Sequence, residues 1–486
     1  MMFSTLMISA ALVASPACVD VFDEVEDTIQ QNYVALALYQ VNAPALAEAA
    51  AARHASYRQQ AARIAADDVL ECTRVLQGYV RSYGDPHLFL NSSPVMRDAD
   101  AAQRRASSPT VAIGTTRLRR QAVSATGRGP LVGVWAAEGF EAAIIPEADG
   151  EFTAVVLESE SEFWNAGDVA ARFRQRGEEF EAILYRAEDR APIRTDYEIV
   201  SDRILSMPPA NWGRIAPQPQ GVMGEWDPHN PRAPRFEMTS DNVAWLSIPS
   251  LSPDSIGDSL QVIAEEHRDD IIGADLLVVD LRGNNGGSSS AIAPLDPFIM
   301  THENRDDYAV DPYSPVLLSS PDTVAYYSRI VDQMPPGLER DVFADLVRRL
   351  EENPASLQPM LTHPDHIALY NDPRVPEGLF EQPENVAILV DGDVMSAGEA
   401  VLLRAGQSRR VTSFGVSTRG AIDYQSVLMV AVGDGDLRFA LGYPLMADNP
   451  LLPAGGYNQG GVPVDVPLQG AQASWPEQIL TYYGLR

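Results

Sequence analysis

Apolar positions recur at helical spacing from residue 19 onward, with Val21, Phe22, Val25 and Ile29 on one face. The alanine-rich segment 44–66 and the stretch from Val69 to Val80 extend this helical texture. Gly84-Asp85-Pro86 then stops it and presents His87 on a turn. An N-terminal helical unit over 18–105, carrying His87, is therefore expected. From about 110 to 215 the runs shorten and alternate: Leu131 to Trp135, Ala142 to Ile145, Phe152 to Leu157 and Phe180 to Tyr185 are separated by Gly, Asp and Glu. This predicts a mainly β accessory domain over 106–216, with a small barrel as one form it could take. Trp135 and Trp164 are expected to anchor its core. A proline-rich linker over 217–236 follows.

Beyond 237, strand and helix patterns alternate. Val243 to Ile248 reads as a strand, and Ile256, Leu260 and Ile263 mark a helix face. Buried strands follow at Leu276 to Val279, Val386 to Val390 and Val411 to Phe414, with a helix opening at Ser396. That order implies right-handed βαβ crossovers and a mainly parallel sheet. The fold class is thus multidomain α/β, with a helical unit and a β unit ahead of an α/β core at 237–486. An insertion at 303–380 interrupts this core and carries an amphipathic helix, marked by Val342, Phe343, Leu346, Val347 and Leu350. An insertion of this length is expected to be a lid or a recognition element. No internal repeat or low-complexity tract is present.

A short apolar run from Phe3 to Val13, ending in Ser15-Pro16-Ala17, suits a cleaved secretion signal over 1–17. It is too short for a membrane-spanning helix of about 20 residues, and a buried N-terminal helix is the alternative. Ser15 stands where a lipoprotein signal carries leucine, which argues against acylation of Cys18. Cys18 and Cys72 are the only cysteines. They could pair in an oxidising compartment or remain two unrelated thiols. A periplasmic or secreted location is expected.

Composition changes the picture in two ways. The net charge of −31 comes from scattered acidic residues, which give a field that repels nucleic acid and anionic membrane. All 36 basic residues are arginine, so no serine–lysine dyad can exist in this chain.

Ser396 follows an apolar strand and the turn Asp391-Gly-Asp-Val-Met395, and it precedes a helix-compatible run. A serine there could simply cap its helix. It could also expose its hydroxyl beside free N–H groups and the positive end of the helix dipole, which suits acyl transfer. Asp280-Leu-Arg-Gly-Asn-Asn-Gly-Gly287 supplies a glycine turn after a buried strand, where backbone N–H groups can approach a ligand closely. Such a turn could give a second oxyanion donor; it lacks the lysine and spacing of a phosphate loop. His363 and His366 lie three apart with no third ligand evident, which is weak ground for a metal site.

The Asp280 to Gly287 segment, the Ser396-Ala-Gly-Glu399 segment and Gly415 to Gly420, in this order, resemble the S41 family of C-terminal processing and tricorn-like serine peptidases. The resemblance spans about 237–470 and includes Gly461-Val-Pro-Val-Asp465. It implies a ClpP/crotonase-like catalytic core with Ser396 as nucleophile, and an oxyanion hole formed by the N–H groups of Ala397 and of Gly286 or Gly287. In the processing branch a lysine follows the Thr-x-Gly segment, where this chain has Ala421. The tricorn-like branch uses an upstream histidine instead, and Asp85-Pro-His87 resembles its segment. An imidazole with a pKa near 6.5 can take the serine proton at neutral pH.

The group that orients His87 is less defined. Pro86 replaces that branch's serine, and Asn458 and Gln459 stand where it carries a glutamate. Asn458, Gln459, Glu399 and Asp465 are the candidates. The β unit has no carboxylate-binding loop like that of PDZ domains, which are frequent in the family. The resemblance implies a serine endopeptidase acting on polypeptides, without metal or organic cofactor, and compatible with an oligomer. The alternatives are a catalytically impaired peptide-binding relative, or a crotonase-like acyl-thioester enzyme.

Overall fold

The computed structural model describes residues 17–65, 68–92 and 104–485, apart from 113, 126, 128, 148–149, 177–178, 201, 208–209, 220–225, 240–241, 254, 307–311, 372–377 and 459. Nearly all of the expected secretion signal lies outside the described residues. Among them no helix is long and apolar enough to cross a membrane.

The N-terminal part folds into four helices, Cys18–Asn32, Val34–Asn42, Pro44–Ala61 and Val69–Arg81. The stripe Val21, Phe22, Val25, Ile29 is buried and continues to Tyr33, one helical turn further. Asp68 caps the fourth helix by accepting the Glu71 N–H at 3.1 Å. A Cys18–Cys72 disulfide ties the first helix to the fourth.

These helices do not form a core of their own. Their apolar faces pack with Val432, Phe439, Leu441, Tyr443 and Leu445, which lie on strands Tyr424–Val432 and Phe439–Ala447. The expected helical texture also breaks after His87, where the short strand Phe89–Ser92 pairs antiparallel with Phe439 to Gly442. The His87 turn is thereby held between a helix and a sheet built mostly from the far end of the chain.

Residues 133–216 form nine antiparallel strands in one sheet. Trp135, Trp164, Phe173, Tyr197 and Trp212 fill one side, while Leu118 and Ala122 of helix Thr115–Ser124 pack on the other. Among the described residues no pairing joins the terminal strands Pro192–Asp196 and Glu198–Val200. The unit is therefore an open sheet where a small barrel had been one expectation. A helix covers its outer face, so both faces are apolar without closure.

The insertion also departs from the expected lid. Strands Val316–Leu318 and Leu357–Pro359 extend the sheet that contains Phe439–Ala447. Leu346 and Leu350 of helix Leu338–Glu352 pack against Leu317, Tyr327 and Met446. Its described middle part is thus structural, because its amphipathic face meets a sheet.

The α/β core is a six-stranded sheet ordered Arg235–Met238, Val243–Ser247, Leu276–Asp280, Val386–Val390, Val411–Gly415, Val466–Pro467. All neighbours except the first pair are parallel. Alternate residues feed two cores: Ala244, Leu246, Leu277, Val279 and Ile388 on one face, Trp245, Val278, Ala387, Leu389 and Phe414 on the other. Burial on both faces explains why these strands read as continuous apolar runs. Their carboxyl ends are where such sheets place ligands.

Candidate active site

Two strand ends converge there. Strand Val386–Val390 leads through a turn to Ser396, which caps the helix Ala397–Ala405. Ser396 has φ 54° and ψ −121°, a conformation costly for a residue with a Cβ, on the order of 1–3 kcal/mol. Its N–H is held by Glu399 Oε2 at 3.0 Å. The neighbouring Gly286 has φ +93°, and a Cβ there would stand 2.8 Å from Ser396 Cβ and 3.2 Å from its Oγ. Glycine at 286 therefore makes room for the serine. Gly287, at φ +129°, is required for another reason, since a Cβ would approach the Leu251 carbonyl oxygen to 2.1 Å.

His87 reaches this point from the first 90 residues. Its Nε2 lies 2.9 Å from Ser396 Oγ, and its Nδ1 lies 2.5 Å from the main-chain oxygen of Tyr424. A carbonyl oxygen can only accept, so Nδ1 carries the proton and Nε2 presents its lone pair to the serine hydroxyl. His87 is 7% exposed. The turn itself is fixed by Asp85, whose carboxylate accepts from the His87 N–H at 2.9 Å and from the Tyr33 hydroxyl at 2.8 Å. Burial pushes the Asp85 carboxyl above its usual range, opposed by the nearby His87.

The candidate orienting groups lie elsewhere. Asn458 Nδ2 is 3.5 Å from Asp85 Oδ1, and its Oδ1 accepts the Asp423 N–H at 3.1 Å, so it touches the His87 turn and not the ring. Gln459 lies outside the described residues. Asp465 binds Ser413 and Arg305. Glu399 is fully buried and accepts from Thr418 Oγ1 at 2.5 Å, Gly420 N at 2.7 Å and Ala421 N at 2.7 Å, besides Ser396 N. It therefore locks the Thr-x-Gly segment to the serine turn and makes no contact with His87. A carboxylate with three backbone donors and a threonine hydroxyl has its lone pairs engaged, and the ring is left to a peptide carbonyl.

The two oxyanion candidates in the glycine turn differ. The Gly286 N–H donates to Asn284 Oδ1 at 2.9 Å and is engaged. Among the described residues the Gly287 and Ala397 N–H groups donate no hydrogen bond. Asn284, fully buried, also donates to the Ile248 carbonyl at 2.7 Å, and its own carbonyl accepts the Met395 N–H at 2.9 Å. It clamps the glycine turn to the serine turn. Asp391 adds a second clamp, accepting the Gly283 N–H at 3.0 Å. Below them Asp280 and Arg282 form a buried pair at 2.6 Å. Burial alone would raise the Asp280 carboxyl, but Arg282 outweighs it and holds the group below the usual range.

Residue types alone did not reveal several of these parts. The Tyr424 contact is main-chain, and Tyr33 carried a signal only as the continuation of the first helix's apolar stripe. Glu198, Asp393 and Arg419 form a polar cluster where the β unit meets the serine turn. Arg419 Nη1 donates to Glu198 Oε2 at 2.7 Å.

A strand–turn–helix serine, an imidazole on its hydroxyl and free N–H groups beside it are the parts that acyl transfer through a serine nucleophile requires. Residues 242–449 match the model of peptidase family S41. No curated protein sequence matches it. Among solved structures, mature CPAF aligns over 96% of this chain and 95% of that one, at 11% identity and a TM-score of 0.47. A putative S41 protease from Bacteroides fragilis aligns over 94% and 92%, at 14% identity and a TM-score of 0.33. The tricorn protease aligns over 96% of this chain and 36% of that one, at 11% identity and a TM-score of 0.36.

Proposed function

We propose that this chain is a serine endopeptidase that works without lysine, with Ser396 as nucleophile and His87 as general base. The observation that carries the reading is the 2.9 Å contact between His87 Nε2 and Ser396 Oγ, with Nδ1 committed to Tyr424. That distance lies within the range for a base acting on its nucleophile.

In this reading Ser396 Oγ attacks the scissile carbonyl while its proton passes to His87 Nε2. The tetrahedral oxyanion takes hydrogen bonds from the N–H groups of Gly287 and Ala397. The carbon–nitrogen bond then breaks, and His87 returns the proton to the leaving amine. Water, activated by the same imidazole, cleaves the resulting ester and restores the serine. Each oxyanion donor of this kind is worth about 3 kcal/mol in the transition state. The Cys18–Cys72 disulfide supports an oxidising, secreted or periplasmic setting.

The test is labelling with a fluorophosphonate probe, together with hydrolysis of fluorescein-labelled casein. Wild type should label, Ser396→Ala should not, and His87→Ala should lose activity on the order of 10⁴-fold or more. A well-folded wild type that resists the probe would favour a peptide-binding role instead. Labelling of His87→Ala at the wild-type rate would remove His87 as base.

A further inference from the structure

We infer that Arg232 is a positioning residue, which imposes the geometry of the glycine turn by bracing it against the β-rich unit. This rests on the reading that Gly287 is an oxyanion donor.

Arg232 lies in the connector between the β unit and the α/β core. One nitrogen of its guanidinium, Nη1, faces the core and reaches the Gly283 carbonyl at 2.7 Å, the Pro249 carbonyl at 2.9 Å and Asn285 Oδ1 at 3.2 Å. The other, Nη2, faces the β unit and reaches Asn211 Oδ1 at 3.0 Å and Ser206 Oγ at 3.3 Å. The planar fork is thus divided between two bodies, with one arm on each. Its charge is offset by the Glu198 carboxylate, and burial lowers its pKa to about 10, which leaves it cationic at neutral pH.

The turn needs such a brace. Gly283, Gly286 and Gly287 all have positive φ, at 73°, 93° and 129°. Glycine permits these angles but does not enforce them. The positions must come from outside the turn. Asp391 holds the Gly283 N–H from beneath, and Arg232 holds the carbonyl of the same residue from the connector. With both ends of this residue pinned, the path to Gly287 is fixed. Misplacing a catalytic group by about 1 Å can cost on the order of 10²-fold in rate. Lysine cannot substitute, because a single ammonium cannot span both bodies.

On the serine side, Arg419 to Glu198 makes a second tie between the same two units. The β unit is therefore part of the catalytic apparatus through contacts that never reach the substrate.

The experiment uses the full chain with Arg232→Lys and the double variant Ser206→Ala/Asn211→Ala, which removes only the β-unit acceptors. Fluorophosphonate labelling rates, kcat and KM for fluorescein-labelled casein, their pH profiles and melting curves are compared. Arg232→Lys should label about 10- to 100-fold more slowly, with kcat reduced in parallel. KM should stay within about 2-fold and the pH midpoints should not move. The double variant should show a smaller loss in the same direction. Millimolar guanidinium should restore part of the rate to Arg232→Ala.

Wild-type labelling rates in the double variant and in folded Arg232→Lys, while Ser396→Ala stays silent, would overturn the inference and leave the peptidase reading intact. A lowered melting temperature with an unchanged rate in the folded fraction would also overturn it, leaving a purely structural contact. If Arg232→Lys does not fold, the double variant decides. An unlabelled wild type overturns the peptidase reading, and this inference with it.

Discussion

His87 Nδ1 meets the main-chain oxygen of Tyr424 at 2.5 Å, so the group that orients the imidazole is a peptide carbonyl and not a carboxylate. A neutral acceptor sets the tautomer as firmly as an aspartate would. It stabilises the imidazolium less, and a negative charge nearby then matters more. Asp85 interacts with His87 in this way, holding the turn through the His87 N–H and staying off the ring.

Asp85→Asn separates these two contributions. The amide oxygen can still accept from the His87 N–H, while a buried carboxyl with a raised pKa is removed. Loss of that desolvation cost should leave the melting temperature equal or higher. The imidazolium loses its neighbouring charge, so kcat should fall about 10-fold. Equal kcat in a folded Asp85→Asn would show that Asp85 acts only on the backbone.

Glu399→Ala tests the clamp between the serine turn and residues 418–421. Four donors converge on this fully buried carboxylate: Ser396 N, Thr418 Oγ1, Gly420 N and Ala421 N. Leaving them without an acceptor should cost at least about 3 kcal/mol of stability, since each buried unsatisfied group costs about 1–3 kcal/mol. Urea unfolding measures this. Labelling of Ser396 should fall in the fraction that remains folded, because its strained φ depends on that acceptor.

How much of this the chain disclosed follows the range of each interaction. Ser396 and the glycine turn are strand–turn–helix features, fixed within about ten residues, and they read directly. His87 read from its turn breakers, although only folding brings it 309 positions along the chain to Ser396. The Tyr424 carbonyl could not be found by residue type, because every residue has one. Arg232 looked like any other arginine in a proline-rich linker. The insertion showed an amphipathic helix, but periodicity cannot say which surface covers Leu346 and Leu350, and here it is Leu317, Tyr327 and Met446. The β unit's alternation predicted strands correctly and left open-sheet and barrel forms undecided, since both bury alternate residues.

The Glu198–Asp393 contact predicts an alkaline limb. Burial, the hydrogen bond to Glu198 and the charge of Asp391 raise the Asp393 carboxyl to about 8, with Arg419 opposing. Glu198 is held below its usual range: burial alone would raise it, but the hydrogen bond to Asp393 and the Arg419 charge outweigh that. Asp393 is therefore protonated when folded at neutral pH and ionised when unfolded. Its contribution to stability is complete below its ordinary value near 4 and is lost as pH rises through about 8. Above that, two like charges face each other where the β unit meets the serine turn. Melting temperature should therefore fall as pH rises from about 4 to about 8 and level off beyond it, kcat should fall as pH passes about 8, and Asp393→Asn should flatten both declines. An unchanged alkaline fall in Asp393→Asn would assign it to another group.

The Cys18–Cys72 bond carries a prediction that joins stability to catalysis. It closes a segment of 54 residues, worth about 4 kcal/mol in the chain-entropy account. The same first helix leads directly to Tyr33, whose hydroxyl holds Asp85 at 2.8 Å and thereby the His87 turn. Freeing the start of that helix should therefore reach the base as well as the fold. Cys18→Ser/Cys72→Ser should unfold at lower urea concentration, with a loss of about 4 kcal/mol or less. At temperatures well below its melting point, the folded fraction should also label more slowly than wild type. Adding Tyr33→Phe should then cost less in the disulfide-free background than in wild type, because part of the Asp85 contact is already lost. Strictly additive effects in this double-mutant cycle would mean that the disulfide and the His87 turn are independent.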